Sequence, residues 1–199
     1  LLRDREREAI AGLWANKLAQ DARGLPRHER HRNLEPASAE FVCVLASGCG
    51  ARRLLEIGGS SGLSTIALAA AARQTGGRLV SIEIEPLRQG ESRKRLESLG
   101  LADRVEFVLG DAGKVLDRYR ALEFALIDCE KEDYVRFLGM LRLAPGAVVV
   151  ADNILSHGLW EYVRAVRSCS GVESVTLPIG KGLEVSRFAA GLAAAAPPG

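Results

Sequence analysis

The sequence predicts an α/β protein: one seven-stranded sheet, mostly parallel, with helices on both faces and an antiparallel hairpin at its end. Three observations carry this reading. From Arg53 onward, short apolar runs alternate with longer stretches of helical spacing, the pattern of a parallel sheet wrapped by crossover helices. Helix-stopping signals fall between them, at Thr75-Gly76-Gly77, Leu99-Gly100 and Ala144-Pro145-Gly146. The last two apolar runs are joined by PIGKG (178–182), too short to hold a crossover helix, so those two strands pair antiparallel.

Residues 1–20 read as a helix, and 37–49 as a second, more apolar one leading into the first strand, RLLEIG (53–58). A turn rich in Gly and Ser follows, then a helix over 62–75. RLVSIE (78–83) is the second strand and 87–99 its following helix; RVEFVLG (104–110) is the third strand, with a helix over 112–119. EFALID (123–128) and AVVVAD (147–152) flank a helix over 131–143. A helix over 158–169 precedes the closing pair, VESVTL (172–177) and LEVSRFA (183–189). The organisation expected is an N-terminal helix and connector over 1–36, a single domain over 37–190, and a low-complexity, disordered tail over 191–199.

Composition narrows the function classes. Hydrophobic residues make up 47% of 199, enough for a core without staples. Basic and acidic residues number 27 and 25, so there is no global field for nucleic acid. Basic residues do crowd the first 32 positions, among them Arg27, Arg30 and Arg32, but acids are interleaved; a solvated helix and a basic partner-binding arm both fit. The four cysteines form no CxxC pair, which points to a reducing, cytoplasmic setting. No apolar run approaches the roughly 20 residues of a membrane span, so no membrane partner is expected.

Chemistry gathers at strand ends. Gly58, Gly59 and Gly62 let a ligand approach the backbone after the first strand, and Ser60, Ser61 and the N-terminus of the next helix supply donors there. Such a loop also serves as a plain strand-to-helix connection. Glu83 ends the second strand about 20 residues on, where a carboxylate can accept from ribose hydroxyls. Glu56 would repel a pyrophosphate and suits a ligand with a positive end, such as the amino group of a methionine moiety. Asp111, beside Ala112, could accept from an adenine amino group or cap the next helix. Asp128 ends the fourth strand, and Asp152 and Asn153 the fifth. Their oxygens would make a hard octahedral site for Mg²⁺ or a similar divalent cation; equally, Asp128 could bind cofactor while the pair makes a turn.

The string E-I-G-x-S-x-G-x-S-T (56–65), the acidic end of the second strand, and ADRVEFVLGDA (102–112) together resemble the class I S-adenosylmethionine-dependent methyltransferases, whose sheet is Rossmann-like with its last strand inserted antiparallel. IDCEKEDY (127–134), ADNILSHG (151–158) and LPIGKGLEVSRF (177–188) are similar to the cation-dependent O-methyltransferases of the caffeoyl-coenzyme A and catechol type. The resemblance implies a cofactor site at Glu56, Gly58, Ser60, Ser64, Glu83, Asp111, Ala112 and Asp128. It implies a metal site at Asp128, Asp152 and Asn153, with Lys131 as general base and a homodimer as the assembly. The acceptor expected is a small aromatic vicinal diol; methylation of a hydroxylated tRNA uridine, or a noncatalytic cofactor-binding module, are the alternatives. In the closing loop Lys181 replaces the family's usual acid. Trp14, Tyr134, Trp160 and Tyr162 are candidates for an acceptor wall, and His157 follows the Asp-Asn pair closely.

Overall fold

The structure is a computed structural model that describes residues 1–26, 29–190 and 192. Arg27 and the expected tail, apart from Leu192, lie outside the described residues. Seven strands form one sheet: β1 (Arg53–Ile57), β2 (Arg78–Glu83), β3 (Val105–Leu109), β4 (Leu122–Ile127), β5 (Leu143–Ala151), β6 (Val172–Leu177) and β7 (Leu183–Phe188). Their order is β3-β2-β1-β4-β5-β7-β6. β1 to β5 are parallel, and β7 runs antiparallel between β5 and β6. The short PIGKG link forces this: β6 and β7 enter as a hairpin.

Eight helices surround the sheet among the described residues: α1 (Asp4–Ala22), α2 (Pro36–Gly48), α3 (Leu63–Thr75), α4 (Pro86–Leu99), α5 (Ala112–Val115), α6 (Tyr134–Met140), α7 (Ile154–His157) and α8 (Trp160–Ser168). Strand side chains divide with the period of two that a sheet buried on both faces requires. Leu54, Phe124, Leu126, Val148 and Val150 face a core shared with α1, α2 and α3. Leu55, Ala125, Ile127, Val149 and Ala151 face the core of α6 and α8. α3 is buried along Leu63 to Ala72, and its alanines let α2 pack closely over it. α1 belongs to the same core through Ile10 and Leu13, which are 3% and 1% exposed.

Two expected helices are shorter than their sequence spacing suggests. The segment expected to be helical over 131–143 opens with a 3₁₀ turn over Lys131–Asp133 and ends at Met140, because Leu143 already pairs with Leu122 as the first residue of β5. Ala144, Pro145 and Gly146 then sit in a bulge inside that strand, where the register shifts, rather than before it. The segment over 112–119 divides similarly into α5 and a 3₁₀ turn over Leu116–Arg118. Leu192 bridges Leu143 antiparallel.

Candidate active site

The ladder continues one residue past several strands and thereby aligns their carboxyl ends. Gly58 N–H donates to the Ile82 carbonyl (2.9 Å), Asp128 N–H to Ile57 (3.0 Å), Asp152 N–H to Ile127 (3.1 Å) and Gly110 N–H to Glu83 (2.9 Å). The residues expected at the site therefore share one rim, as ligand sites of open α/β sheets do.

A cavity of about 460 Å³ opens there, lined by Gly58, Ser60, Glu83, Asp111, Ala112 and Asp128 among others. Gly58 has φ +94°, and a Cβ on it would lie 1.9 Å from the Asp128 carbonyl oxygen, so only glycine lets β1 and β4 meet at this point. Ser60 holds φ 46°, an uncommon conformation for a residue with a side chain. Its N–H donates to Glu83 Oε2 (2.7 Å), and Glu83 Oε1 accepts from the N–H groups of Ile84 and Glu85 (2.9 Å each). The carboxylate is thus fixed in place while keeping lone pairs toward the cavity. Asp111 caps α5, accepting from Gly113 N–H at 2.8 Å, and still lines the cavity, so both of its expected roles are geometrically compatible.

Glu56 and Ser64 are buried beneath the loop and do not line this cavity. Glu56 Oε2 accepts from Thr65 Oγ1 (2.7 Å) and Ser81 Oγ (2.6 Å), and burial pushes its carboxyl up against the pull of neighbouring hydroxyls, that of Ser64 included. Its place is under the glycine turn, as a polar strut between β1, β2 and α3.

A second cavity of about 420 Å³ adjoins the first and shares Arg32, Asp128 and Cys129 with it. Lys131, Asp152, Asn153, Tyr134, His157 and Lys181 also line it. Asn153 has φ 63°, a left-handed conformation Asn tolerates better than most residues. Its Nδ2 donates to Asp128 Oδ1 at 2.8 Å. Asp152 is 3% exposed and its Oδ1 has no hydrogen-bond partner among the described residues. Burial and the neighbouring Asp152 charge push the Asp128 carboxyl well above its usual range. Burial raises Asp152 to about 6, against the opposing pull of the Asn153 N–H and the Lys181 charge.

Two crowded, desolvated carboxylates and an unspent oxygen are a donor set that fits a hard divalent cation. Asn153 turns its amide nitrogen to Asp128, so its oxygen would join such a cation only after the amide turns over. Among the described residues no cluster of three His, Cys, Asp or Glu side chains is present, so the amide or an external oxygen has to complete the set. Lys131 stands at the cavity edge, 60% exposed, with Nζ 3.9 Å from Glu132 Oε1.

The connector between α1 and α2 supplies residues that sequence patterning passes over. Arg32 N–H donates to Ser60 Oγ (3.1 Å), its guanidinium pairs with Glu130, and Asn33 Oδ1 accepts from Ser61 Oγ (3.0 Å). Arg32 stands out in the sequence only as one of many N-terminal cations. Of the four aromatic candidates only Tyr134 lines either cavity, with its hydroxyl buried beside Asn153. Tyr162 packs edge-on behind it, with ring centroids 5.7 Å apart. His157 lines the second cavity, its Nδ1 2.7 Å from Ser156 Oγ.

Residues 13–196 match the family model described as "Protein of unknown function (DUF1442)". The chain is 40% identical over 150 residues to a catechol O-methyltransferase of Mycobacterium tuberculosis, an alignment spanning 73% of this chain and 66% of that relative. Among solved structures, cofactor-bound Rv0187 from MTB superposes with a TM-score of 0.76 at 29% identity, covering 92% of this chain and 90% of that one. The O-methyltransferase TomG from Streptomyces achromogenes, in complex with SAM, gives 0.76 at 25% identity and 88% of each chain. The chain belongs to the DUF1442 family and, through its fold and these relatives, to the class I S-adenosylmethionine-dependent methyltransferases of the catechol and caffeoyl-coenzyme A O-methyltransferase type.

Proposed function

We propose that this protein methylates one hydroxyl of a vicinal diol, with S-adenosylmethionine in the first cavity and a divalent cation and the acceptor in the second. The observation that carries this reading is Asp128, which lines both cavities. One side chain can therefore face the methionine end of the donor and help to hold the cation that positions the acceptor. The name of the catechol O-methyltransferase relative and the SAM held by TomG support the same assignment.

Glu83 would take the ribose hydroxyls and Asp111 the adenine end, with Gly58 and Ser60 against the methionine end. Bound S-adenosylmethionine supplies an electrophilic methyl group, which passes to the acceptor oxygen and leaves S-adenosylhomocysteine. A divalent cation held by Asp128, Asp152 and Asn153 would lower the pKa of a hydroxyl it binds. Lys131 lines the cavity from an exposed turn and, as the neutral amine, would accept the hydroxyl proton at Nζ. The strut of Glu56 and the connector clamp at Ser60 and Ser61 keep the loop in one geometry, which is where positioning catalysis gains most.

The arginine-rich N-terminal segment adds no support for a tRNA acceptor, since Arg7, Arg30 and Arg32 are engaged with Glu40, Asp21 and Glu130. The test is incubation of the purified protein with S-adenosylmethionine, Mg²⁺ and catechol, with and without chelator, read by mass spectrometry. Methylated product that disappears with chelator and with Asp152→Asn is expected. Lys131→Met should lower kcat by about 10²-fold or more while S-adenosylhomocysteine still binds. Turnover indifferent to chelator would remove the metal from the mechanism.

A further inference from the structure

The second cavity is a poor match for a neutral aromatic ring, because Tyr134 and Leu159 are nearly all the apolar wall it has. Five cations face it instead: Lys17, Arg30, Arg32, Lys131 and Lys181. Four have partners. Lys17 and Arg30 share Asp21 at 2.5 and 3.3 Å, Arg32 pairs with Glu130, and Lys131 lies near Glu132. Among the described residues Lys181 forms no ion pair, although its charge is felt at both Asp128 and Asp152.

Lys181 is not there by looseness of its loop. Its carbonyl accepts from the N–H groups of Leu155 (3.0 Å) and Ser156 (3.2 Å), and the Gly182 carbonyl accepts from Ile154 N–H (3.0 Å). The hairpin is thereby tied to α7, the helix that begins directly after Asp152 and Asn153. A Cβ at Gly182 would lie 2.5 Å from Leu155 Cγ, and one at Gly180 would lie 2.6 Å from Ser38 Oγ, so the loop has no slack on either side of the lysine. The backbone that carries Lys181 is thus fixed, and its side chain lines the cavity together with Asp128 and Asp152. Once a divalent cation neutralises those carboxylates, the anion left beside the loop is Glu35, whose Oε2 would lie 3.1 Å from a Cβ at Gly180, and among the described residues it makes no ion pair with Lys181.

We propose that the acceptor carries a carboxylate on the same skeleton as its diol, and that Lys181 receives it. The inference rests on the second cavity being the diol site. A carboxylated diol gives Lys181 a direct partner through a charge-assisted hydrogen bond, whereas a neutral diol leaves it unmatched and an aminated one repels it. Lys181 acts as a specificity residue, set apart from the proton transfer at Lys131.

The test compares kcat/KM for 3,4-dihydroxybenzoate, catechol and 3,4-dihydroxyphenethylamine, with S-adenosylmethionine and Mg²⁺ present. The wild type is expected to prefer the carboxylate by about 10-fold or more over catechol, with the amine poorest. Lys181→Met should erase that preference, chiefly through KM, and Lys181→Glu should move it toward the amine. Lys181→Arg should restore the wild-type ranking, and S-adenosylhomocysteine affinity checks that each variant is folded. Catechol turnover with no charge preference, or an equal loss across the panel in Lys181→Met, overturns the inference alone. Binding of S-adenosylhomocysteine with no turnover of any diol overturns the diol reading and this inference with it.

Discussion

Gly58→Ala is the sharpest perturbation of the proposed cofactor site. The new methyl would begin 1.9 Å from the Asp128 carbonyl oxygen and 2.8 Å from its carbon, both backbone atoms that no rotamer change can move. Ordinary contact begins near 3.4 Å, so the ends of β1 and β4 would have to part by about 1.5 Å. Overpacking of this kind costs about 1–3 kcal/mol, and alanine at φ +94° adds about 1–2 kcal/mol. A loss near 3 kcal/mol lowers the melting temperature of a chain this size by roughly 6–12 °C. Because the displaced residue is Asp128, cofactor affinity should fall with stability. Gly76→Ala is the internal control: it shares a positive φ of +70° but has nothing within 4 Å of the added Cβ, so it should cost only the backbone term. Thermal melting and calorimetric titration with S-adenosylhomocysteine read both quantities. If Gly58→Ala melts with Gly76→Ala and binds normally, the tight junction of β1 and β4 is not what positions Asp128.

Two further predictions concern buried carboxylates. Glu56→Gln should leave S-adenosylhomocysteine affinity within about threefold, and should match or exceed wild-type stability at pH 8, since burial raises the Glu56 carboxyl and the folded state is penalised once that group ionises. A large affinity loss at unchanged stability would place Glu56 in direct contact with the cofactor. For Glu6, burial raises the carboxyl, but the Arg73 guanidinium and the Arg3 N–H outweigh it and leave it below its ordinary 4.5. A depressed folded value means the contribution is complete above about pH 4.5 and is lost as pH falls through the lowered value. Arg73→Met should therefore cost about 3 kcal/mol at pH 7 by stranding a buried charge, and denaturant melts should show the gap closing in acid. A gap of constant size from pH 3 to pH 7 would remove the ion pair as the cause.

Much of this architecture is legible in the chain because strands buried on both faces leave continuous apolar runs and glycines mark the helix ends. The seven strands, the inserted hairpin and the alignment of Gly58, Glu83, Asp128 and Asp152 on one rim all follow from that periodicity. What the sequence does not convey is direction and depth. Glu56 belongs to the loop motif, yet the alternation of β1 turns it toward α3, where Thr65 and Ser81 both donate to its Oε2. Arg32 and Asn33 reach the site from a connector with no periodic pattern, so only the three-dimensional path of residues 29–35 reveals them. Pro145 and Gly146 announce a helix stop, and a bulge absorbs them into β5 because Leu122 and Leu143 pair on its far side.

The insertion of β7 between β5 and β6 carries a consequence for the order of assembly. β7 follows the other six strands in the chain, yet it occupies an interior position in the sheet, and the loop before it holds α7 through Lys181 and Gly182. During synthesis, β1 to β5 can pair as they emerge, but the edge of β5 stays open until the hairpin docks. The ledge of Asp152 and Asn153 stays unsupported for the same interval. The proposed metal and acceptor site is therefore among the last parts of the molecule to form, and a nascent chain can hold a nearly complete donor cavity before it has anything to methylate.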